Sequence, residues 1–293
     1  MARPHMFPDF VAVCAFALLA GLAFAAENPV VDAKGKSRLK LAAISVTPAR
    51  WEKEANFATL ERYAREAAAK GAHLVITPEG FLEGYVANEN ANKDLTEEKY
   101  DGVAEPLDGA MVDRVRKLAR ELKIHLVLGF AEQRGGRNFN SAILIAPDGG
   151  IALHYSKSHT AGDEPFNTHG AEFPVAETPF GKVGALICYD RQLPETSRIL
   201  AIKGARLIIV PAWGSYSEMN TVMMRTRAYE NSVYLAFVHP NRVMMIDPGG
   251  TIVAENRGED GQLVFAEIDL ADERIGRGPI RNRRADIYGE ILE

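Results

Sequence analysis

A cysteine, Cys188, ends an apolar stretch predicted to be a strand (182–187) and precedes a predicted helix at 193–203. At such an elbow, backbone N–H groups point outward and the helix dipole favours anions. Both effects suit a thiolate nucleophile and the oxyanion that it creates. A free cysteine is also commonly a small buried hydrophobic residue. Cys188 therefore indicates catalysis only together with other residues that could form a catalytic site.

A carboxylate, Glu79, follows a short apolar segment at Leu74–Ile76 and lies between a proline and a glycine. Burial deprives the charged carboxylate of hydration and raises its pKa, which suits a group that transfers protons. The alternative is a cap of a helix or turn, and from this residue alone the two interpretations are equally good.

Lys157 comes directly after a predicted hairpin and lies among tyrosine, serine and histidine residues. A fixed ammonium group can stabilise an oxyanion as it develops. A solvated surface lysine is the alternative. Glu164, seven positions later, can hold the lysine in its charged form or bind a substrate amide.

These four residues together resemble the catalytic set of the nitrilase superfamily of carbon–nitrogen hydrolases. In chain order they are Glu79, Lys157, Glu164 and Cys188. The resemblance covers residues 39–269. Its landmarks, weak singly and strong as an ordered set, are Pro78-Glu79 and the segments 155–159, 187–195, 225–231 and 247–250.

The resemblance implies a mechanism. Glu79 would be the general base that takes the proton from Cys188, whose sulfur then attacks a carbonyl carbon and forms a thioester. Lys157 and the backbone N–H of Tyr189 would stabilise the oxyanion. Glu164 would position the substrate and tune the lysine.

The residues after the nucleophile favour an amide or carbamoyl substrate. Nitrile-cleaving members usually carry Trp-Glu there, whereas this chain has Tyr189 and Asp190. Arg191 is similar to the arginine with which N-carbamoyl-amino-acid hydrolases hold a substrate carboxylate. A pair with Asp190 or Glu195 is the alternative. Trp213 is predicted to line the pocket, with core packing as an equal alternative.

The leading hypothesis is therefore hydrolysis of a non-peptide C–N bond in a small amide or N-carbamoyl compound. Within the enzymes, a nitrilase and a thioester-based acyl transferase remain open. A catalytically silent binding protein of the same fold is the alternative from another class. Thiol reactivity distinguishes the enzymes from the binding protein, and product identity distinguishes hydrolase from transferase.

Strands and helices alternate in both halves of the chain, which predicts an α/β fold. Helices are predicted at 51–70, 111–122, 193–203 and Glu218–Asn231. Strands are predicted at 39–46, 74–76, 125–130, 141–146, 151–155, 182–187, 207–210, 234–238, 244–246, 251–254 and 263–268. We expect one hydrolase domain over 39–270, a four-layer α-β-β-α sandwich of two mixed sheets. Similar Pro-Gly turns at 147–150 and 248–250 hint at two related halves.

Residues 10–24 form an uninterrupted apolar run that ends in small residues. The run is shorter than the roughly 20 residues that span a bilayer, so residues 1–25 are predicted to be a signal peptide. The signal peptide would direct export of the protein to the periplasm or medium. Its cleavage would leave a loose segment at 26–38 and no stable membrane anchor. An uncleaved anchor is the alternative. Residues 271–293 are predicted to be a C-terminal tail.

Composition bears on the partners. The formal net charge is −5, and no basic stripe with interleaved aromatic residues suggests a nucleic-acid partner. His154, His159 and His169 lack a ligand-like spacing, so no metal is predicted, and no cofactor. The resemblance implies a homo-oligomer formed through the helix that contains 225–231, in which Glu230 would be structural, pairing with Arg227 or with a neighbouring backbone group.

Overall fold

The computed structural model describes residues 30–31, 37–258 and 260–292. The predicted signal peptide, which contains the chain's other cysteine, Cys14, lies outside these residues, so the predictions of cleavage and export stay predictions. Among the described residues, no helix is both long and apolar enough to cross a membrane.

The first sheet has seven strands. They are β1 (Val30–Val31), β2 (Ser37–Ser45), β3 (Leu74–Ile76), β4 (His125–Arg134), β5 (Arg137–Ile145), β6 (Ile151–Ser156) and β13 (Gln262–Asp269). The path runs from β1 through β2 to β6, and β13 pairs antiparallel with β2. β1 lies in the stretch predicted to be loose, where it pairs with residues 37–38.

The second sheet has six strands. They are β7 (Val175–Thr178), β8 (Gly181–Ala185), β9 (Leu207–Pro211), β10 (Tyr234–His239), β11 (Arg242–Ile246) and β12 (Ile252–Glu255). They lie in the order β12 to β7 across the sheet.

Both sheets use the same pairing scheme. β2, β3 and β4 are parallel, and β5 and β6 follow antiparallel. β8, β9 and β10 are likewise parallel, and β11 and β12 follow antiparallel. Each final hairpin shifts register just before its turn, at Leu144/Ile145 and at Met245/Ile246. The two similar Pro-Gly turns therefore occupy equivalent places in two halves of like topology.

Helices cover the outer faces of both sheets. They are α1 (Lys53–Ala69), α3 (Ala110–Leu122), α4 (Pro194–Ile202) and α5 (Glu218–Asn231), whereas α2 (Glu97–Val103) packs in a separate cluster with residues 85–87 and Ala131. Side chains alternate across a strand, and in β2 Leu41 and Ala43 face the second sheet while Ala42 and Ile44 face α1 and α3. α4 and α5 pack on the second sheet. This α-β-β-α sandwich of mixed sheets confirms the predicted fold class.

The helices with an amphipathic period were predicted to within two residues, whereas α2 and β7 were not predicted. α2 has only seven residues and begins at a Thr96 cap, whose hydroxyl accepts from the Lys99 N–H at 3.2 Å. β4 and β5 are longer than predicted because Gly135 and Gly136, with φ of 59° and 73°, close a tight hairpin.

After β13 the chain forms three short 3-10 helices, at Gly278–Asn282, Ala285–Ile287 and Gly289–Leu292. This part is mostly exposed. It is tied to the end of α5, where the Gly276 N–H donates to the Ser232 carbonyl at 3.0 Å.

Candidate active site

Three of the predicted site residues meet in one buried cluster. The Lys157 ammonium group lies between the carboxylates of Glu79 and Glu164, with its Nζ 2.9 Å from Glu79 Oε1 and in contact with Glu164 Oε1. All three side chains are buried. One cation therefore pairs with two carboxylates, and the cluster carries a net negative charge when all three groups are ionised.

Asn140 fixes the geometry of Glu79 and Lys157 together. Its side-chain Nδ2 donates to Glu79 Oε1 at 2.8 Å, and its main-chain carbonyl accepts from the main-chain N–H of Lys157 at 2.8 Å. The sequence alone did not indicate this residue. A polar residue on an otherwise apolar strand face could have indicated it. The other members of that face of β5, Ala142 and Leu144, lie in the apolar layer between the sheets.

Glu164 lies in the loop between β6 and β7 and is held by two donors. The Tyr85 hydroxyl donates to its Oε1 at 2.8 Å, and Asn167 Nδ2 donates to its Oε2 at 3.2 Å. Burial and the nearby carboxylates raise the pKa of Tyr85 well above its usual value, so the phenol keeps its proton. Tyr85 was also missed in the sequence.

Cys188 follows β8 with a left-handed backbone conformation, φ 42°. The sulfur donates to the Trp213 carbonyl at 3.3 Å and accepts from Arg191 Nη1 at 3.1 Å. Cys188 itself begins a short 3-10 helix, Cys188–Gln192, and α4 begins only at Pro194. The sharp turn expected at Cys188 is therefore present. The α-helix α4, however, begins too far along the chain for its dipole to stabilise a thiolate at Cys188.

The resting sulfur is a thiol. Burial and the negative charge of Glu79 raise the pKa of Cys188 to about 11, against the opposing charges of Lys157 and Arg191. To act as a nucleophile, this thiol would need a base to remove its proton. This differs from the thiolate environment that the sequence suggested.

Glu79 has the properties of such a base. Burial raises its pKa above the ordinary value, and the charge of Glu164 adds to that effect, while Lys157 and Asn140 oppose it. Within the described part of the chain, Oε2 of Glu79 is buried and has no hydrogen-bond partner. One carboxylate oxygen is thus free to accept a proton.

Lys157 remains charged. Burial by itself lowers the pKa of its ammonium group, but the negative charges of Glu79 and Glu164 outweigh burial and raise that pKa. A permanent cation at this place can stabilise negative charge on a substrate oxygen.

A model of the carbon-nitrogen hydrolase family matches residues 40–275. The chain belongs to this family. The match spans nearly the whole predicted domain, and it confirms the assignment to the nitrilase superfamily.

The relatives of this carbon-nitrogen hydrolase include several amidases. An (R)-stereoselective amidase from a Pseudomonas species is 33% identical, over 75% of this chain and 82% of its own. A deaminated glutathione amidase from Rattus norvegicus is 32% identical, over 87% of this chain and 85% of its own. A nitrilase from Pyrococcus abyssi is 31% identical, over 87% and 96% of the two chains.

The fold also matches solved structures. A crystal structure of an amidase from Nesterenkonia has a TM-score of 0.73 at 24% identity, covering 87% of this chain and 96% of the other. A branch 10 member of the nitrilase superfamily from Saccharomyces cerevisiae has a TM-score of 0.70 at 25% identity, covering 79% and 90%.

Asp190 holds the elbow of the hydrolase to the opposite sheet. Its buried carboxylate accepts from the Tyr155 hydroxyl at 2.6 Å, the Ile187 N–H at 3.0 Å and the His159 N–H at 2.9 Å. Tyr155 belongs to β6, the strand that leads to Lys157. Asp190 thereby links the nucleophile to the segment that carries the cation.

Replacing Asp190 with asparagine is expected to lower kcat/KM for amide hydrolysis by roughly 10- to 100-fold, since small displacements of reacting groups are costly. The amide group accepts through one oxygen only, so one of these donors loses its acceptor. The matched control is Asp113→Asn, which alters an exposed carboxylate paired with Lys117 at 2.8 Å. Equal rates for the two variants would contradict the positioning role.

The three predicted substrate-binding residues occupy different environments. Arg191 is buried, with its guanidinium 5.5 Å from the Phe237 ring centroid and its Nε without a partner among the described residues. It does not pair with Asp190. Trp213 is half-buried and its ring packs on Tyr85 with a centroid distance of 5.5 Å. The side chain of Tyr189 is 42% exposed.

α5 holds the main chain of the 3-10 helix that begins at Cys188. Arg227 donates from Nε to the Arg191 carbonyl at 3.2 Å and from Nη2 to the Gln192 carbonyl at 3.1 Å. Its Nη1 lies 3.0 Å from Glu230 Oε1, which confirms the predicted structural pair.

Two of the three histidines considered as metal ligands have partners among the carboxylates. His154 contacts Glu132, and His159 contacts Asp190. Across the described residues, no group of three or more His, Cys, Asp or Glu side chains is arranged to hold a metal ion.

Proposed function

We propose that this protein hydrolyses the C–N bond of a small amide or N-carbamoyl compound through a thioester on Cys188. The proposal rests on one observation above all. The buried thiol of Cys188 lies within electrostatic reach of a carboxylate, Glu79, that has a free oxygen, and of a buried cation, Lys157.

The first half-reaction forms the thioester. Glu79 takes the proton of Cys188 while the sulfur attacks the carbonyl carbon, and the negative charge on the carbonyl oxygen is stabilised by Lys157 and the Tyr189 N–H. Protonated Glu79 then gives its proton to the nitrogen. The C–N bond breaks, and ammonia or an amine leaves.

The second half-reaction uses the same groups. Glu79, again ionised, removes a proton from water, whose oxygen attacks the thioester carbon. The C–S bond breaks, the proton returns to sulfur, and an acid is released. Glu164 supports this cycle by holding Lys157 in place from the side opposite Glu79.

An amide is favoured over a nitrile as substrate. Amidases are prominent among the relatives, and Tyr189-Asp190 stands where nitrile-cleaving members usually carry Trp-Glu. Arg191 would hold a substrate carboxylate, since its guanidinium lies beside the sulfur and its buried Nε lacks a partner within the described residues. Trp213 would line the pocket beside it.

The deciding experiment is a substrate panel of aliphatic amides, N-carbamoyl amino acids and nitriles, with ammonia release as the measurement. Protein alkylated with iodoacetamide is the control. We expect release from amides or carbamoyl compounds and none after alkylation. Comparing each N-carbamoyl amino acid with the alkylurea that lacks its carboxylate tests Arg191, because a bidentate contact requires that group.

Other outcomes would change the assignment. Release from nitriles alone would support a nitrilase, which one relative from Pyrococcus abyssi is named. Hydroxamate formation with hydroxylamine that exceeds hydrolysis would support an acyl transferase. An inert thiol and no product would support a binding protein.

We also propose that the protein forms a homo-oligomer through α5. Three apolar side chains on this helix, Met219, Val222 and Tyr229, are 60%, 48% and 55% exposed. Contiguous exposed apolar side chains commonly mark an interface. A monomeric mass in sedimentation equilibrium would refute the proposal. Export likewise remains a proposal, and a protein found in the cytoplasm with residues 1–25 intact would refute it.

A further inference from the structure

A second buried carboxyl group, Glu83, lies four residues after Glu79 on the same loop and is 2% exposed. Its Oε2 accepts from the Ala131 N–H of β4 at 2.9 Å. The other oxygen lies against Gly80, so closely that a side-chain carbon at Gly80 would be 2.6 Å from it. The carboxyl group of Glu83 therefore fastens the loop of Glu79 to the neighbouring strand.

The charged and titratable groups that face Glu83 come from three elements. They are Glu79 on its own loop, Lys53 on α1 and Tyr100 on α2. Lys53 is already paired with Glu105, at 2.6 Å. Among the ion pairs of the described residues none includes Glu83, so its carboxylate has no cation of its own.

Glu83 consequently titrates near neutrality. Burial raises the pKa of Glu83 to about 7, and Glu79 adds to that rise, while backbone N–H groups and Lys53 oppose it. Two carboxyl groups on one buried loop thus influence each other's ionisation, and their titrations are coupled.

We infer that Glu83 is a positioning residue that acts through Glu79. Its carboxyl group anchors the loop that carries the base, and its negative charge disfavours the ionised form of that base. This inference rests on the proposed role of Glu79. A carboxyl group that served only to fill space would leave the pH dependence of the reaction unchanged when replaced by an amide.

Two variants separate the charge from the anchor. In Glu83→Gln the side-chain oxygen still accepts from Ala131, so kcat at the plateau should stay near wild type. The wild-type pH profile of kcat/KM should carry an inflection near pH 7, where Glu83 ionises beside the charged Glu79, and Glu83→Gln should lack it. Glu83→Leu also loses the anchor, and its kcat should fall by roughly 10-fold or more.

The matched control is Glu132→Gln. Glu132 is another buried carboxylate, on β4, but it contacts His154 and Ser141. This variant should keep the wild-type inflection near pH 7. An active Glu83→Gln protein that keeps that inflection would overturn the inference.

A stability measurement tests Glu83 even if no amide is hydrolysed. A carboxyl group with a raised pKa contributes stability that is present at low pH and is lost as pH rises through about 7. The Tm of Glu83→Gln minus that of wild type should therefore increase between pH 5 and pH 8. A constant difference would overturn the inference, whereas absent hydrolysis with an increasing difference would count against the proposed function alone.

Discussion

Replacing Cys188 with serine is expected to lower amide hydrolysis by about 10⁴-fold or more while the protein stays folded. A hydroxyl group can keep the contacts with the Trp213 carbonyl and with Arg191, which lie 3.3 Å and 3.1 Å from the sulfur. It is, however, a far weaker nucleophile than a thiol deprotonated by a general base, the role proposed for Glu79. The measurement is kcat/KM beside thermal unfolding.

Cys188→Ala separates chemistry from stability. It should be equally inactive, but it leaves buried Nη1 of Arg191 without its sulfur acceptor, which costs about 1–3 kcal/mol. The serine variant should therefore unfold at a higher temperature than the alanine variant. Substantial hydrolysis by either protein would show that Cys188 is not the nucleophile.

Replacing Lys157 with methionine is expected to abolish hydrolysis and to destabilise the fold by about 3–5 kcal/mol. Two buried carboxylates, Glu79 and Glu164, lose their shared cation. Tm should fall on the order of 10 °C at neutral pH. Without their cation, both carboxyl groups bind protons more tightly in the folded protein, so the loss should be smaller at pH 5 than at pH 8.

The control for Lys157 is Lys182→Met. Lys182 pairs with Glu177 at 3.0 Å on an exposed part of the surface. Such pairs contribute about 1 kcal/mol or less, so this variant should keep its activity and nearly all of its stability. Similar losses in the two variants would contradict the central place given to Lys157.

Local patterns predicted the fold better than the contacts of the site. Periodicity located α1, α3, α4 and α5, and the order of four residues pointed to the catalytic set. The residues that hold this set were missed, because their contacts join distant parts of the chain. Asn140 and Glu79 are 61 positions apart, and Tyr85 and Glu164 are 79 apart.

The ionisation of the nucleophile could not be read from the sequence for a similar reason. A helix after Cys188 suggested a stabilised anion, but the first turn is a 3-10 helix and the sulfur is buried near Glu79. Burial depends on the packing of both sheets, which no local pattern encodes.

The groups proposed to react are divided between the two sheets. Cys188 follows β8 of the second sheet, whereas Glu79 and Lys157 follow β3 and β6 of the first. The apolar layer between the sheets is thus a spacer that sets the gap between nucleophile and base. A change of one ångström in its thickness, from a resized side chain at Leu144 or Val183, would misalign a reaction that neither residue touches. The packing of apolar side chains between the two sheets therefore determines how precisely these groups are aligned.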